Sequence, residues 1–274
     1  MSPAPLTAAA TATGAVPISN LDLAASSLLL LINVALSALL GLGLGRQLLV
    51  AAGRMVVQLL LVGSVLDWLF RQEEPLAVAA MAAAMAAIAA MAAVQRTRRR
   101  FAGIYADSLV SVLAGAGLVT GLALTGILRP EPWFAPRYVI PLLGMVLGNT
   151  LNGISLGLDR LMEGLGSGRE RVETLLCLGA TRREACAEVL REAVRVGMIP
   201  TINSMLVMGV VSLPGMMTGQ ILAGEAPAAA VRYQIVIVFM IAAGTALGVV
   251  GVVLLGFLRL TSRDHQLRLD RLRS

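Results

Sequence analysis

The side chains that usually carry out catalysis are scarce in this sequence. Its 274 residues include one histidine, His265, and two cysteines, and all 22 basic residues are arginine. A phosphate-binding loop of the G-x-x-x-x-G-K-[ST] type needs a lysine, so none can exist in its usual form. Serine-hydrolase, zinc-hydrolase and haem sites rely on histidine, and the one histidine, His265, lies among the charges of the tail, where we expect it to be solvated. We therefore expect no enzymatic activity and no cofactor bound by this chain.

The residues that could line a polar path lie in two apolar segments. In the first, Asn149 and Asn152 are three residues apart and share a helix face. In the second, proline and glycine leave backbone carbonyls unpaired, which is tolerated only where the backbone faces protein or a wet cavity. Broken helices form substrate sites in many transporters, but a packing kink and interhelical hydrogen bonds are open alternatives. The candidate pathway residues are Asn149, Asn152, Ser212, Pro214, Gly215, Met216, Met217 and Gln220.

The charged segment 159–195 carries the signals of two helix starts and one helix end. Ser167–Glu170 and Thr181–Glu184 each have the spacing of an N-terminal capping box. Between them, Gly179 can adopt the left-handed conformation that a helix C-cap requires. These signals predict a short helix over about 168–178, a tight turn, and a second helix that begins near residue 182 and continues into the following apolar segment.

The predicted short helix is amphipathic. Val172, Leu175 and Leu176 give it an apolar side for which the sequence offers no core of its own, while its charges are balanced between arginine and glutamate. A helix that lies flat on a bilayer is usually basic. The balanced charge therefore favours a docking element for a soluble partner, with the membrane-surface helix as the alternative.

Long apolar helices must position these residues. Mean hydropathy is +0.83 and 14% of the residues are charged, whereas soluble domains carry about 25%. Continuous apolar runs of about 20 residues cross a bilayer as helices and lack the alternation of a β-barrel. The fold class is all-α: a polytopic membrane protein with about seven transmembrane helices and one helical cytoplasmic loop. The predicted spans are roughly Leu23–Gly45, Leu48–Phe70, Pro75–Val94, Ser108–Leu128, Tyr138–Leu158, Val196–Ala223 and Tyr233–Leu258.

The arrangement of charge predicts the orientation of these spans. With the N-terminus outside, 18 of the 22 arginines fall in cytoplasmic segments, as the positive-inside rule requires. Anionic lipid then accounts for the net charge of +6, so we expect a membrane and no nucleic acid as partner. The predicted division is a disordered tail over 1–20, a transmembrane domain over 21–258 with its cytoplasmic loop at 159–195, and a cytoplasmic tail over 259–274.

Glu173, followed six residues later by Gly179-Ala180-Thr181, resembles the EAA-type loop of ABC-transporter permeases, although Thr174-Leu175 replaces two alanines and the later Ile-x-Leu-Pro is absent. A resemblance to the FetB-type permeases covers most of the chain. These are iron exporters related to the membrane subunit of the plant aluminium-tolerance ABC transporter. The resembling stretches are Ile140–Leu161, Leu178–Ala185, Val211–Gly224, Ala230–Met240 and, more weakly, Arg54–Gly63.

This resemblance implies a homodimeric ABC permease of the bacterial inner (plasma) membrane, with residues 21–258 as the permease domain. A separate cytoplasmic subunit would bind ATP and Mg and hydrolyse the ATP, and transport would run outward with iron as the expected cargo. Two alternatives are open: export of an organic solute such as a nucleotide sugar, and an ATPase-independent carrier or channel. The cargo is open because the middles of the last five predicted spans contain no carboxylate that could accompany a metal cation. The sequence assigns no metal ligands. The residues that the resemblance implies in coupling are Glu173, Leu178, Gly179, Ala180 and Thr181.

Overall fold

The computed structural model describes residues 19–72, 74–262 and 264–273, which are predominantly helical. The predicted disordered tail, residues 1–20, lies outside the described residues except for its last two. The described chain forms two compact units. The first contains residues 19–72 and 219–226, and the second contains the remaining described residues.

The first unit contains two candidate spans, α1 (Asn20–Leu39) and α2 (Gly45–Gln72), which are joined by a short turn and contact each other. α1 begins in a capping box in which Ser19 Oγ accepts from the Asp22 amide at 3.2 Å and Asp22 Oδ2 accepts from the Ser19 amide at 2.9 Å. The predicted first span, Leu23–Gly45, extends too far toward the C-terminus because a glycine-containing turn follows α1. The Asp22 carboxylate therefore belongs to the start of a helix, where it satisfies a free amide.

The second unit contains the helices that carry the predicted site. They are α3 (Pro75–Gln95), α4 (Ile104–Val112), α5 (Leu118–Leu122), α6 (Pro136–Ser167), α7 (Arg169–Cys177), α8 (Arg182–Val207), the start of α9 (Gly215–Leu222) and α10 (Pro227–Leu260). Two π-helical turns, Leu113–Gly117 and Ala123–Leu128, make α4 and α5 part of one continuous apolar helix. Two short antiparallel strands, β1 (Arg100–Phe101) and β2 (Leu272–Arg273), pair with each other.

The core of this unit forms where α6, α8 and α10 pack together. A Cβ atom on Gly153 would lie 2.7 Å from Thr245 Cγ2, and one on Gly197 would lie 2.7 Å from Val249 Cγ1. Small residues allow transmembrane helices to approach this closely. The three helices therefore form one packed frame, on which α7 and the segment before α9 are mounted.

Six helices among the described residues are long and apolar enough to cross a membrane, and they confirm an all-α polytopic fold. They are Leu21–Leu39, Gly45–Gln72, Pro75–Gln95, Ile104–Leu128, Pro136–Ser167 and Pro227–Leu260. The predicted sixth span, Val196–Ala223, is not one helix. α8 ends at Val207, a non-helical segment occupies residues 208–214, and α9 begins at Gly215 after Pro214. Proline cannot supply the amide that a continuous helix needs at that point.

The C-terminal residues fold back onto the second unit. The Arg268 amide donates to the Leu260 carbonyl at 2.8 Å, and β2 then pairs with β1. Leu267 and Leu269 pack against the hydrophobic core. The tail after α10 is therefore a folded element rather than a solvated extension of a membrane helix.

Candidate functional site

α7 ends in a Schellman motif. Gly179 has φ +92°, its amide donates to the Leu176 carbonyl, and the Ala180 amide donates to the Leu175 carbonyl, both at 3.0 Å. These are the two hydrogen bonds that define the motif. The predicted C-cap at Gly179 is confirmed, and α7 lies within one residue of each predicted end.

α8 begins with the second predicted capping box, which is confirmed. Thr181 Oγ1 accepts from the Glu184 amide at 3.4 Å, and Glu184 Oε2 accepts from the Thr181 hydroxyl at 2.7 Å and from its amide at 2.8 Å. These hydrogen bonds to the charged form hold the pKa of Glu184 below its ordinary value. The turn between α7 and α8 is thus fixed on both sides.

The first predicted capping box, at Ser167 and Glu170, is wrong. α6 continues nine residues beyond the predicted end of its span and includes Ser167. The Ser167 hydroxyl donates to the Glu163 carbonyl at 2.8 Å instead, and Gly168 is the N-cap residue of α7 without a side-chain cap. α6 and α7 are therefore joined through a single residue, which leaves no flexible linker between them.

The apolar side of α7 is buried within the second unit, contrary to the expectation that it lacked a core. Val172 is 2% exposed, and Leu175 and Leu176 pack against the same core. The opposite side is free: Leu178 is 79% exposed and Cys177 is exposed. Because the apolar residues already have protein partners, α7 has no apolar stripe left to insert into a bilayer.

The coupling candidate Glu173 lies on α7 in an ion pair with Arg169, with Nε and Oε1 2.7 Å apart. Both side chains are substantially exposed, so the pair contributes little to stability. Its effect is to keep that face of α7 polar and close to neutral. A protein surface with mixed charge can approach it without burying an unpaired charge.

A groove of about 600 Å³ lies between α6, α7 and α8. An ion pair between Arg171 of α7 and Glu188 of α8 crosses it. Farther along, Arg160 of α6 lies 3.9 Å from Glu192 of α8, and Arg195 lies 3.0 Å from the same carboxylate. The groove is lined by four arginines and three glutamates, so a partner of mixed charge can contact it without burying a single sign of charge.

The tail contacts the start of α8, which sequence reasoning missed. His265 is exposed, but its Nδ1 accepts from the Arg182 amide at 2.9 Å. The Arg182 guanidinium donates to the Ser262 carbonyl at 3.0 Å and lies 5.7 Å from the centroid of the Phe257 ring. The available signal was the pair of leucines at 267 and 269, which a solvated tail does not need.

Asn149 and Asn152 are not brought to one site. The Asn152 side-chain oxygen accepts from the Arg96 guanidinium, in a cavity that Asp159 also lines. Asn149 lies farther along α6 and its amide donates to the Met145 carbonyl at 2.9 Å. The two residues predicted to share one pathway face therefore line two different cavities. Asn152 is hydrogen-bonded to Arg96, whereas Asn149 is not.

The non-helical segment borders a cavity of about 210 Å³. Three pathway candidates line it together with Asn149 from α6: Pro214 at the end of this segment, and Gly215 and Met216 at the start of α9. A second cavity of about 630 Å³ is lined by Pro214 and by Met217. The break before α9 is therefore bordered by two partly open cavities. That they belong to a transport pathway stays a prediction.

Two further pathway candidates lie elsewhere. Ser212 is in the turn of the non-helical segment, where its carbonyl accepts from the Gly209 amide at 2.9 Å, and it lines neither cavity. Gln220 belongs to the part of α9 that lies in the first unit. In contrast, Gln234 of α10 lines both cavities. It lies in the resembling stretch Ala230–Met240 but was not among the predicted pathway residues. The signal was a single amide within an otherwise apolar run.

The packed bundle of apolar helices, with a capped helix exposed at one end, defines a polytopic α-helical membrane protein of the permease type. The chain belongs to the uncharacterised protein family UPF0014, whose family model matches residues 20–260. The resemblance to the FetB-type permeases is thus confirmed at the level of the family.

Curated relatives cover most of the chain. A UPF0014 membrane protein of Synechocystis sp. is 41% identical over 201 residues, which is 73% of this chain and 78% of that protein. The probable iron export permease protein FetB of Escherichia coli is 32% identical over 93% of this chain and 97% of its own length. Protein ALUMINUM SENSITIVE 3 of Arabidopsis thaliana is 33% identical over 79% of this chain and 78% of its own length. No solved structure matches the chain.

Proposed function

We propose that this chain is the permease subunit of an ABC transporter, acting as a homodimer that exports metal cations. ATP would be hydrolysed, with Mg, by a separate cytoplasmic subunit. The observation that carries the proposal is α7, a capped helix joined through one residue to α6 and through a fixed turn to α8. A partner that moves α7 therefore moves two long helices of the membrane frame directly.

The positions of charged residues support a cytoplasmic location for α7. The amide of Arg98, within the arginine cluster 96–100, donates to Asp159 Oδ1 at 2.9 Å, close to the end of α6 that leads into α7. β1 and β2 also bring the arginines of that cluster and of the tail together. An end of the bundle so rich in arginine fits the cytoplasmic side of a bacterial inner membrane, with the N-terminus outside.

The proposed cargo follows the full-length relative named for iron export. Export of an organic solute is a second candidate, because among the described residues no carboxylate lines the two cavities beside the non-helical segment. ATPase activity of the assembled complex in lipid nanodiscs distinguishes the two. Stimulation by Fe(II) and not by a UDP-sugar supports metal export, and the reverse result supports the organic solute.

The docking of the ATPase subunit can be tested with the native cysteines. Cys177 is exposed at the end of α7, whereas Cys186 is buried on α8, and burial raises the pKa of its thiol to about 11. A maleimide should therefore modify Cys177 at neutral pH and leave Cys186 as an internal unreactive control. Co-purified ATPase subunit should reduce the modification of Cys177 at least tenfold.

An unprotected Cys177 in a complex that nevertheless hydrolyses ATP would contradict docking at α7. If no nucleotide-binding subunit co-purifies with the detergent-solubilised protein, the ABC mechanism fails. A secondary carrier or channel then becomes the better explanation. Mass determination of the solubilised complex tests the homodimer separately.

A further inference from the structure

Four methionines and one glutamine line the same cavity beside the non-helical segment. Met145 comes from α6, Met205 from α8, Met208 from the C-cap of α8 and Met216 from α9, and all four line the cavity of about 210 Å³ together with Gln234 of α10. The cavity is thus assembled from four helices, α6, α8, α9 and α10. Five of the chain's 13 methionines line this cavity or the adjoining one, which Gln234 also borders. We refer to the four methionines and Gln234 as the methionine pocket.

Gln234 is a buried polar residue at the pocket whose side-chain oxygen lacks a partner among the described residues. Its side chain is 7% exposed, and its Oε1 accepts no hydrogen bond from the described residues. A buried carbonyl oxygen without a partner is costly, so such groups usually mark a bound ion, a water or a functional role. Methionines alone are common packing residues, but they do not account for an unpaired buried amide oxygen on a residue that lines the cavity.

The donor atoms of the pocket indicate the kind of ion that fits. Thioether sulfur is a soft ligand that selects Cu(I) over harder cations. The pocket is also neutral, since no charged side chain of the part of the chain that the structure describes lines it. The Born cost of transferring an ion from water rises with the square of its charge, so a monovalent ion loses only about a quarter as much hydration energy as a divalent ion of equal size. Both properties oppose Fe(II) as the ion bound at this pocket.

We infer that the methionine pocket binds a soft monovalent cation, Cu(I) or its analogue Ag(I), through thioether sulfurs and the Gln234 side-chain oxygen. As a transport site the pocket rests on the proposed function. As a binding site it is independent of the ATPase subunit, so the two can fail separately.

The test uses the full-length chain in nanodiscs without a partner. Cu(I), kept reduced with ascorbate, is titrated against a chromophoric Cu(I) chelator, and the bound ion is examined by X-ray absorption at the copper edge. We expect one equivalent per chain with sulfur neighbours. The double variant Met205→Leu/Met216→Leu nearly conserves side-chain volume and should weaken binding at least tenfold. Met91→Leu, an exposed position on α3 outside the pocket, is the matched control and should bind as wild type.

Oxygen or nitrogen neighbours alone, or equal affinity in the double variant, would overturn the inference. Displacement of Ag(I) bound to the wild-type chain by a tenfold excess of Fe(II) would also overturn the inference. The absorption spectrum of the wild-type chain is informative even if the double variant does not fold. Absence of Cu(I) binding in a chain that still assembles with an active ATPase would refute this inference and leave the proposed function intact.

Discussion

At the scale of single residues, the backbone at Gly179 fixes the angle between α7 and α8. Its φ is +92°, and no atom lies within 4 Å of the position that a Cβ would take. A substitution there strains the backbone by about 1–2 kcal/mol without a steric clash. We expect Gly179→Ala to reduce ATP-driven transport about tenfold, with unchanged membrane insertion and continued ATP hydrolysis. Transport and ATPase rates measured in the same proteoliposomes report this uncoupling.

The matched control is Gly121→Ala, at another glycine with no atom near the added Cβ but within a helix. Alanine is favoured there relative to glycine, so the variant should transport as wild type. Normal coupling in Gly179→Ala would contradict the role assigned to the turn.

One ion pair between α4 and α10 can also be tested at the scale of single residues. The Asp107 side chain is 6% exposed and forms an ion pair with Arg259. Arg259→Gln leaves a buried carboxylate without its countercharge, so we expect a loss of about 3–5 kcal/mol in the free energy of unfolding. Asp107→Asn should cost less, because the 42%-exposed Arg259 side chain can reach water or headgroups. Denaturant unfolding in detergent measures both.

The double variant Arg259→Gln/Asp107→Asn completes the comparison. It removes both charges and should be more stable than Arg259→Gln alone. If the double variant is as unstable as the sum of the two single variants, the two residues do not act as a pair.

At the scale of elements, local signals identified helices well and misjudged how they join. Gly179 and Thr181 were predictable because the Schellman motif and the capping box depend on a few adjacent residues. The end of α6 at Ser167 was not, because a capping pattern is ambiguous when the preceding helix continues through it. The separation of Asn149 from Asn152 depends on Arg96, which is more than 50 residues away in the chain, and no local spacing reports such a contact.

In the tail, one residue contributes both a side-chain acceptor and an unusual backbone conformation to the attachment. His265 Nδ1 accepts from the Arg182 amide, and His265 itself has φ +58°. His265→Ala removes the acceptor and strains the backbone, with an expected cost of about 1–2 kcal/mol. His265→Asn keeps an oxygen near the Nδ1 position and tolerates positive φ, so it should retain the attachment. Limited trypsin digestion at Arg268 checks this: the alanine variant should be cleaved several-fold faster than the asparagine variant.

At the scale of the whole molecule, the contacts of the second unit constrain how often the chain crosses the bilayer. The end of α10 lies beside the start of α8, because Arg182 contacts Ser262 and His265. α6 leads through α7 directly into α8, so α8 starts at the end of the bundle where α10 finishes. The chain must therefore return across the membrane between the start of α8 and the start of α10, although residues 208–214 interrupt the helix.

α8 provides the first part of that return. Its 26 residues span about 39 Å, and its glycine at 197 packs within the α6–α10 core. Arg182–Val207 is too polar to be recognised from hydropathy alone, since its N-terminal half carries charges of the loop that we predict to be cytoplasmic. Six apolar helices and this seventh, mixed one together agree with about seven crossings.

The crossing between the start of α8 and the start of α10 can be tested with a cysteine placed at the start of α10. Ala229 is exposed in the first turn of α10, so Ala229→Cys in a Cys177→Ser/Cys186→Ser background should react with a membrane-impermeant maleimide in bacteria whose inner membrane is intact. Native Cys177, in a Cys186→Ser background, should react only after that membrane is opened. Modification of both positions from the same side would mean that α8 and the non-helical segment do not complete a crossing, and would remove the structural basis for placing the methionine pocket within the membrane.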